Sequence, residues 1–209
     1  MISGGSSSAG RARAALLLIV ACSWSASAAE GDAGGWNLDH LMQELAQVKT
    51  AKGSFVERKH LSILNAPLEF SGTLVYVAPD RLEKRTLKPR PETMVLEGDV
   101  LTIDDGERKR PRSLALQDYP VVRAFIESIR STLAGDLPTL ARFYKVELEG
   151  GERRWRLTLK PVDPKMREVV SEIRIGGESR WVSSIEIIEP GGNHSLMTVK
   201  RDADPAPVR

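Results

Sequence analysis

The sequence predicts an α+β protein built around one curved antiparallel sheet of about eleven strands. Two observations predict this fold. Most segments alternate apolar and polar residues with a period of two, and turn signals separate them at intervals of about ten residues. Two further segments repeat apolar residues at helical spacing. We expect these helices to pack against the apolar side of the sheet.

The N-terminus, residues 1–29, is predicted to be a signal peptide. Two arginines precede a short apolar run at 14–21, and small residues follow at 25–29. This is the order of a secretory leader, and the run is shorter than the about 20 apolar residues that span a bilayer. Cleavage after Ala28 or Ala29 would release a free protein.

A second outcome is open at Cys22, the one cysteine of the sequence. Residues 19–22 (Ile-Val-Ala-Cys) resemble the lipobox of bacterial lipoproteins, which is cut just before the cysteine. Lipidation of Cys22 would tether the mature protein to a membrane. We expect the free form, because isoleucine begins a lipobox less well than leucine does.

Composition argues against nucleic-acid binding. The chain has 30 Lys and Arg against 28 Asp and Glu, and loss of 1–29 would remove two arginines and no acid, leaving 28 of each. A neutral chain with 5% aromatic residues lacks the basic surface and the stacking side chains of a nucleic-acid binder. With Cys22 removed no disulfide could form, so the fold must depend on its core.

The first helix is expected to begin at 36–39, with Asn37 or Asp39 as its N-cap, and to end at Gly53. Its apolar positions recur at helical spacing. They are Leu38, Leu41, Met42, Leu45 and Val48.

Antiparallel strands are then expected as successive hairpins. Their segments are 54–60, 68–77, 81–87, 92–97, 100–103 and 110–116. Asp-Gly at 105–106 is a strong hairpin signal. The basic run at 107–112 is interpreted as the solvated end of that hairpin, in preference to an anion-binding patch.

A long helix is predicted from Pro120 to Gly135, since proline suits a first turn and glycine a C-terminus. Its apolar stripe consists of Val122, Phe125, Ile126, Ile129 and Leu133. A short helix at 137–143, capped by Asp136, is expected to follow. Further strands are predicted at 144–149, 154–160, 168–175, 181–189 and 194–200. The Pro/Ala-containing tail, 203–209, is expected to be disordered.

The sequence carries no catalytic or metal-binding pattern. His40, His60 and His194 lack ligand spacing, and the chain has no nucleophile elbow, P-loop or zinc-ligand spacing. We therefore expect no enzymatic activity, no cofactor and no metal. The apolar strand and helix faces remain, and they form either an ordinary core or a cavity for an apolar ligand. Periodicity alone leaves both open.

The order of motifs resembles the LolA-like family of bacterial outer-membrane lipoprotein carriers. In that family a first helix precedes an A-x-F-x-Q/E strand, as it does before SFVERK at 54–59. GTLVYVAP at 72–79 is similar to the family's G-x-L-x-V-x-R-P element, and Pro-Glu at 91–92 and GDVL at 98–101 match the two later elements. The long segment 127–148 resembles a divergent branch of the family.

This resemblance implies an incomplete antiparallel barrel with helices as a lid over an apolar cavity. The LolA-like domain, 30–202, would shield the acyl chains of a lipoprotein or another acylated lipid there. The protein would be a periplasmic monomer that receives cargo from an inner-membrane donor and delivers it to an outer-membrane acceptor. A form tethered through Cys22 would be an outer-membrane acceptor of the same fold. Standard members carry an arginine that hydrogen-bonds to the lid, where this chain has Ala78, and Arg81 in the same turn is the candidate replacement.

The candidate ligand-binding residues are the inward members of the alternating strands and of the long helical stripe. The strand residues are Phe70, Leu74, Tyr76, Leu82, Met94, Leu101, Trp155 and Leu157. The helix residues are Val122, Phe125, Ile129 and Leu133.

Overall fold

The computed structural model describes residues 35–107 and 110–202. The predicted leader with Cys22 and the predicted disordered tail lie outside these residues. The chain divides after Gly35, and the description below concerns the second unit, Trp36–Arg209. In the described part, no helix is both long enough and apolar enough to cross a membrane.

The described residues form four α-helices and eleven strands. In chain order the elements are α1 (Leu38–Ala46), β1 (Thr50–His60), β2 (Leu68–Val77), β3 (Arg81–Lys88), β4 (Glu92–Glu97), β5 (Val100–Asp104), β6 (Arg112–Ala115), a 3-10 turn (Leu116–Asp118), α2 (Pro120–Ala134), α3 (Leu137–Phe143), β7 (Tyr144–Gly151), β8 (Arg154–Pro161), α4 (Pro164–Arg167), β9 (Glu172–Glu178), β10 (Trp181–Ile188) and β11 (His194–Arg201).

All eleven strands belong to one antiparallel sheet with the order β6-β5-β4-β3-β2-β1-β11-β10-β9-β8-β7. Two meanders, β1–β6 and β7–β11, join where β1 pairs with β11. The two ends of this order, β6 and β7, do not pair with each other, so the sheet is not closed into a barrel. This confirms the predicted α+β class with a curved, incomplete antiparallel barrel.

Alternation along the strands gives the sheet an apolar face. In β8 the side chains of Trp155, Leu157 and Leu159 are buried, whereas those of Arg154 and Arg156 are exposed. Successive side chains of a strand point to opposite faces, so this pattern covers one face with apolar groups. The helices pack on that face.

Helix α1 begins where the sequence places it but ends earlier. Asn37 is its N-cap, since the Asn37 side chain accepts a hydrogen bond of 2.9 Å from the backbone N–H of His40. The prediction that Gly53 ends this helix is wrong, because α1 stops at Ala46 and Gly53 lies inside β1. A Cβ at this position would lie 2.7 Å from the carbonyl oxygen of Lys200 on β11, so glycine permits the close strand approach.

The strand predicted at 168–175 begins later and extends further than expected. β9 runs through Gly176 and Gly177, beyond the predicted end of the strand at 175. A Cβ at Gly177 would overlap the ring of Trp155, so glycine makes room for this indole. The indole Nε1 donates a hydrogen bond of 2.7 Å to the carbonyl of Ser179.

The packed core lies between the helices and one part of the sheet. Its strand members come from β7, β8 and β9, and its helix members from α1, α2, α3 and α4. They include Leu41, Met42, Leu45, Ala124, Leu140, Tyr144, Trp155, Leu157, Leu159, Met166, Ile173 and Ile175. The opposite part of the sheet, centred on β1, is therefore where space under the helices remains.

Candidate ligand cavity

An apolar cavity of about 450 Å³ lies over the centre of the sheet. Its floor comes from β1 to β4, β10 and β11, and α1 and α2 contribute to its walls. Cavities that bind small molecules commonly measure about 300–1,000 Å³ and are mostly apolar. This cavity is therefore large enough to be a binding site.

Strand register brings the floor residues together. Tyr76 on β2 pairs with both Leu82 on β3 and Ala51 on β1. In the next inward-facing row, Leu74 pairs with Lys84 and with Gly53. Alternate residues of a strand face the same side. These rows therefore present their side chains to one space beneath α2.

Helix α2 buries its polar side and turns its apolar stripe toward the cavity. The buried residues are Ala124, Glu127, Ser128, Ser131 and Thr132. Two of the buried hydroxyls donate to backbone carbonyls of the helix itself, each at 2.6 Å. The stripe residues Phe125, Ile129 and Leu133 stay half-buried and line the cavity. A surface helix normally buries its apolar side. Here Phe125 and Ile129 pack against the edge of the core and also border the open cavity.

Two hydrogen bonds fix α2 across this space. Tyr144 on β7 donates from its hydroxyl to the carbonyl of Ala124 at 2.9 Å, and burial raises the pKa of Tyr144. On the other side, Arg130 donates to the carbonyl of Gly98 at 2.9 Å, in the turn between β4 and β5. Arg130 also pairs with the buried carboxylate of Glu127. We call α2 the lid, because it is attached to the sheet at both sides of the cavity.

Arg81 makes its contacts along the sheet. Its guanidinium lies 3.4 Å from Glu83 and 3.4 Å from Glu97. The arginine that joins lid and sheet in this chain is Arg130, which lies on the helix. An arginine therefore does join the lid to the sheet, but it lies on the lid helix and not on a turn of the sheet.

The lining also contains charged side chains, and two of them, Glu57 and Lys84, form a hydrogen-bonded pair in the floor. Glu57 on β1 accepts a hydrogen bond of 2.6 Å from the Lys84 ammonium and one of 2.7 Å from the Ser195 hydroxyl. Burial alone would raise the pKa of Glu57, but the charge of Lys84 and the two hydrogen bonds outweigh it and lower the pKa. We call these three residues the Glu57 cluster. It holds an ionised carboxylate and an ammonium inside the cavity.

The rim near the end of α1 carries two arginines. Arg201 lies over the ring of Trp181, with its guanidinium carbon 3.7 Å from the ring centroid. Arg180 pairs with Glu44 at 3.0 Å and donates to the Gln47 side chain at 2.8 Å. The Arg180 contacts attach the end of α1 to the start of β10, and the Arg201 contact joins β11 to β10.

The structure brings seven of the twelve predicted residues together around the cavity. These seven are Leu74, Tyr76, Leu82, Met94, Phe125, Ile129 and Leu133. Trp155 and Leu157 lie in the packed core, 1% and 0% exposed. Phe70, Leu101 and Val122 are half-buried and stand outside the lining.

Sequence reasoning missed the Glu57 cluster and the contribution of the last two strands. Ile185, Ile187, Met197 and Val199 line the cavity from β10 and β11. These residues alternate with polar neighbours along β10 and β11, as Leu74 and Tyr76 do along β2, so the sequence does carry a signal for them. The hydrogen bond between Glu57 and Ser195 spans 138 positions and has no local signal.

Comparison with known protein families matches residues 28–203 to the family described as "Outer membrane lipoprotein carrier protein LolA-like". Among curated proteins, no match was found. Among solved structures, the chain is similar to a LolA superfamily protein from Nitrosomonas europaea, with 9% identity, coverage of 79% of this chain and 93% of that one, and a TM-score of 0.44.

Two further structures show similar coverage of this chain. One is MucB in complex with MucA(peri), with 17% identity, coverage of 81% of this chain and 56% of that one, and a TM-score of 0.41. The other is LprF from Mycobacterium bovis, with 9% identity, coverage of 84% and 99%, and a TM-score of 0.34. The family match carries the assignment. It spans most of the sequence, and the chain therefore belongs to the LolA-like family of outer membrane lipoprotein carrier proteins.

Proposed function

We propose that this protein is a periplasmic carrier that holds the acyl chains of a lipoprotein, or of another acylated lipid, and moves them toward the outer membrane. The observation that carries the proposal is the half-buried apolar stripe of α2 above a cavity of about 450 Å³. Each methylene removed from water contributes about 0.8 kcal/mol. A cavity of this kind shields an acyl chain without any chemical step, which accords with a carrier that is not an enzyme.

Cargo entry requires the lid to move away from the sheet. On the far side of the cavity, Arg130 joins the lid to the β4–β5 turn through a hydrogen bond to Gly98 and an ion pair with Asp99 at 3.7 Å. Breaking both contacts leaves Arg130 paired with Glu127 on the same helix, so the buried carboxylate keeps its counterion while the helix lifts. The lid therefore opens without exposing Glu127 to an apolar surface unpaired.

The location follows from the predicted leader. Removal of residues 1–29 releases the carrier into the periplasm as a free monomer. There it would take cargo from an inner-membrane donor and deliver it to an outer-membrane acceptor. The family match supports this route, since its description names an outer membrane lipoprotein carrier.

An acceptor tethered to the outer membrane is the second candidate, because residues 19–22 resemble a lipobox. The two candidates differ in where the mature protein resides. Substitution of Cys22→Ala followed by cell fractionation separates them. A soluble pool that Cys22→Ala leaves unchanged supports the carrier, and a membrane-bound pool that becomes soluble supports the tethered acceptor.

Phe125→Ser and Ile129→Ser test the cavity. Both place a hydroxyl on the lining, and we expect binding of a fluorescent fatty-acyl probe to weaken at least about tenfold, since each lost side chain removes about 1.5–3 kcal/mol of apolar burial. Val122→Ser is the matched control, because Val122 is a half-buried residue of the same helix outside the lining.

Thermal unfolding of all three variants completes the test. The proposal expects a large loss of probe binding only in Phe125→Ser and Ile129→Ser, with unfolding midpoints close to that of Val122→Ser. Equal losses of binding in all three variants, or a loss that follows the unfolding midpoint, would show that the stripe is ordinary core.

A further inference from the structure

If the cavity holds only methylene groups, the Glu57 cluster loses hydration free energy without a compensating contact to the ligand. Lys84 and Glu57 are 30% and 14% exposed, and both side chains contribute to the lining. A partly buried ion pair loses hydration, and apolar side chains of similar volume at such positions often give equal or higher stability. The pair therefore invites a role in the cavity beyond holding β1, β3 and β11 together.

The cluster retains capacity for further hydrogen bonds. An ammonium has three donors and a carboxylate has about four acceptor sites. Lys84 directs one donor to Glu57, and its nitrogen lies 5.0 Å from the centroid of the Phe55 ring. Glu57 accepts from Lys84 and Ser195, one bond at each oxygen. Both a donor and an acceptor are therefore available to a group that enters the cavity.

The charges of Glu57 and Lys84 indicate which kind of ligand group the cluster accommodates. The cluster contains one positive and one negative side chain, so it is neutral overall. An anionic group drawn to Lys84 would meet the carboxylate of Glu57, and a cationic group drawn to Glu57 would meet the ammonium of Lys84. A neutral group that both donates and accepts satisfies both partners without such repulsion.

We propose that the Glu57 cluster binds a neutral polar group of the acyl ligand that both donates and accepts hydrogen bonds, such as an amide or a hydroxyl. The inference rests on the proposed function, since it assumes that the cavity holds acyl chains. It narrows the cargo to amide-linked or hydroxylated acyl groups. Simple esters and free carboxylates fit less well, because the first only accepts and the second is charged.

Competition between ligands of one chain length tests this proposal. Palmitamide, hexadecanol, methyl palmitate and palmitate are titrated against N-phenyl-1-naphthylamine bound to the mature protein. We expect the amide and the alcohol to displace the probe at about tenfold lower concentration than the ester and the carboxylate, since a hydrogen bond to a charged group adds about 1.5–3 kcal/mol. The amide and alcohol arms separate the two sources of the polar group.

A double variant, Glu57→Leu with Lys84→Met, removes both charges together and leaves neither unpaired. We expect it to bind the amide, the alcohol and the ester with the same affinity to within about twofold, because the charged partners of their polar groups are gone. The control is Arg58→Met with Glu69→Leu, which removes an exposed ion pair of 3.1 Å between β1 and β2. This control should keep the preference of the unmodified protein.

The outcomes separate the two proposals. Equal affinity for the four ligands, a preference for palmitate, or a preference that survives in the double variant overturns the role of the Glu57 cluster and leaves the carrier in place. Failure of all four to displace the probe overturns the carrier as well. If the double variant does not fold, the order of the four ligands on the unmodified protein decides.

Discussion

Glu57 combines two opposing effects on one carboxyl group. Burial favours its neutral form, whereas the Lys84 ammonium and the Ser195 hydroxyl favour the ionised form and prevail. A lowered folded-state pKa means that the ionised carboxylate is more stable in the native protein than in the unfolded chain. Its contribution to stability is present above the unfolded pKa, about 4.3, and is lost as pH falls through the folded-state pKa.

Glu57→Gln should therefore destabilise the protein in a pH-dependent way. At pH near 7 we expect the free energy of unfolding to fall by about 1–3 kcal/mol, because Lys84 loses a charged partner. As pH falls below the unfolded-state pKa and through the lower folded-state pKa, the difference from the unmodified protein should shrink, since the unmodified carboxyl then becomes protonated. Urea unfolding across this pH range measures the difference.

Glu69→Gln is the control for this measurement. Glu69 also pairs with a cation, Arg58, but its side chain is 58% exposed. Exposed pairs contribute about 0–1 kcal/mol, so the substitution should have a small effect at every pH. A Glu57→Gln deficit that stays constant from neutral to acidic pH would contradict the assigned ionisation of Glu57.

Elements differ in how far their sequence predicts them. Strand alternation and the stripe of α2 place almost every element correctly. Leu74 and Trp155 occupy equivalent apolar positions of alternating strands, yet Leu74 lines the cavity and Trp155 lies in the core. The difference arises because the core helices pack on β7 to β9 and leave the centre of the sheet open. No local pattern states which part of a sheet a distant helix covers.

The lid depends on a residue that replaces an expected one. The resemblance to the LolA-like family implies an arginine on the β2–β3 turn that hydrogen-bonds to the lid, and Arg81 is the candidate for it. The structure instead uses Arg130, which reaches the β4–β5 turn from the helix. Because the arginine lies on the helix and not on the β2–β3 turn, the sequence of that turn does not indicate the contact. The packing of α2 on the sheet shows it.

Arg130→Lys should loosen the lid. Lysine keeps a positive charge beside Glu127 but lacks the planar fork that also reaches the Gly98 carbonyl. Loss of one such hydrogen bond is worth about 1–1.5 kcal/mol. We expect the dissociation rate of a bound acyl probe to rise about fivefold to tenfold, with faster hydrogen exchange in α2.

Arg142→Lys on α3 provides the comparison, because Arg142 is exposed. It should leave both the probe dissociation rate and hydrogen exchange in α2 unchanged. Equal dissociation rates for Arg130→Lys and Arg142→Lys would remove Arg130 from the opening step.

The whole molecule depends on a pairing between its first and last strands. β1 and β11 join the two meanders, and the cavity lies directly over this junction. Glu57 and Ser195 meet there from opposite ends of the domain. Turn spacing predicts each meander, but the junction between them is a long-range contact that the sequence does not express locally. The apolar lining could thus be predicted in part, and the polar cluster could not.

The proposed function depends on the space under α2 holding acyl chains. Native mass spectrometry of the mature protein, purified from the cell envelope without detergent, detects such chains. We expect the unmodified protein to carry a bound species with acyl chains, and Phe125→Ser purified in parallel to carry markedly less of it. Unmodified protein recovered only at the mass of its polypeptide, with no displaceable acyl probe, would contradict the claim.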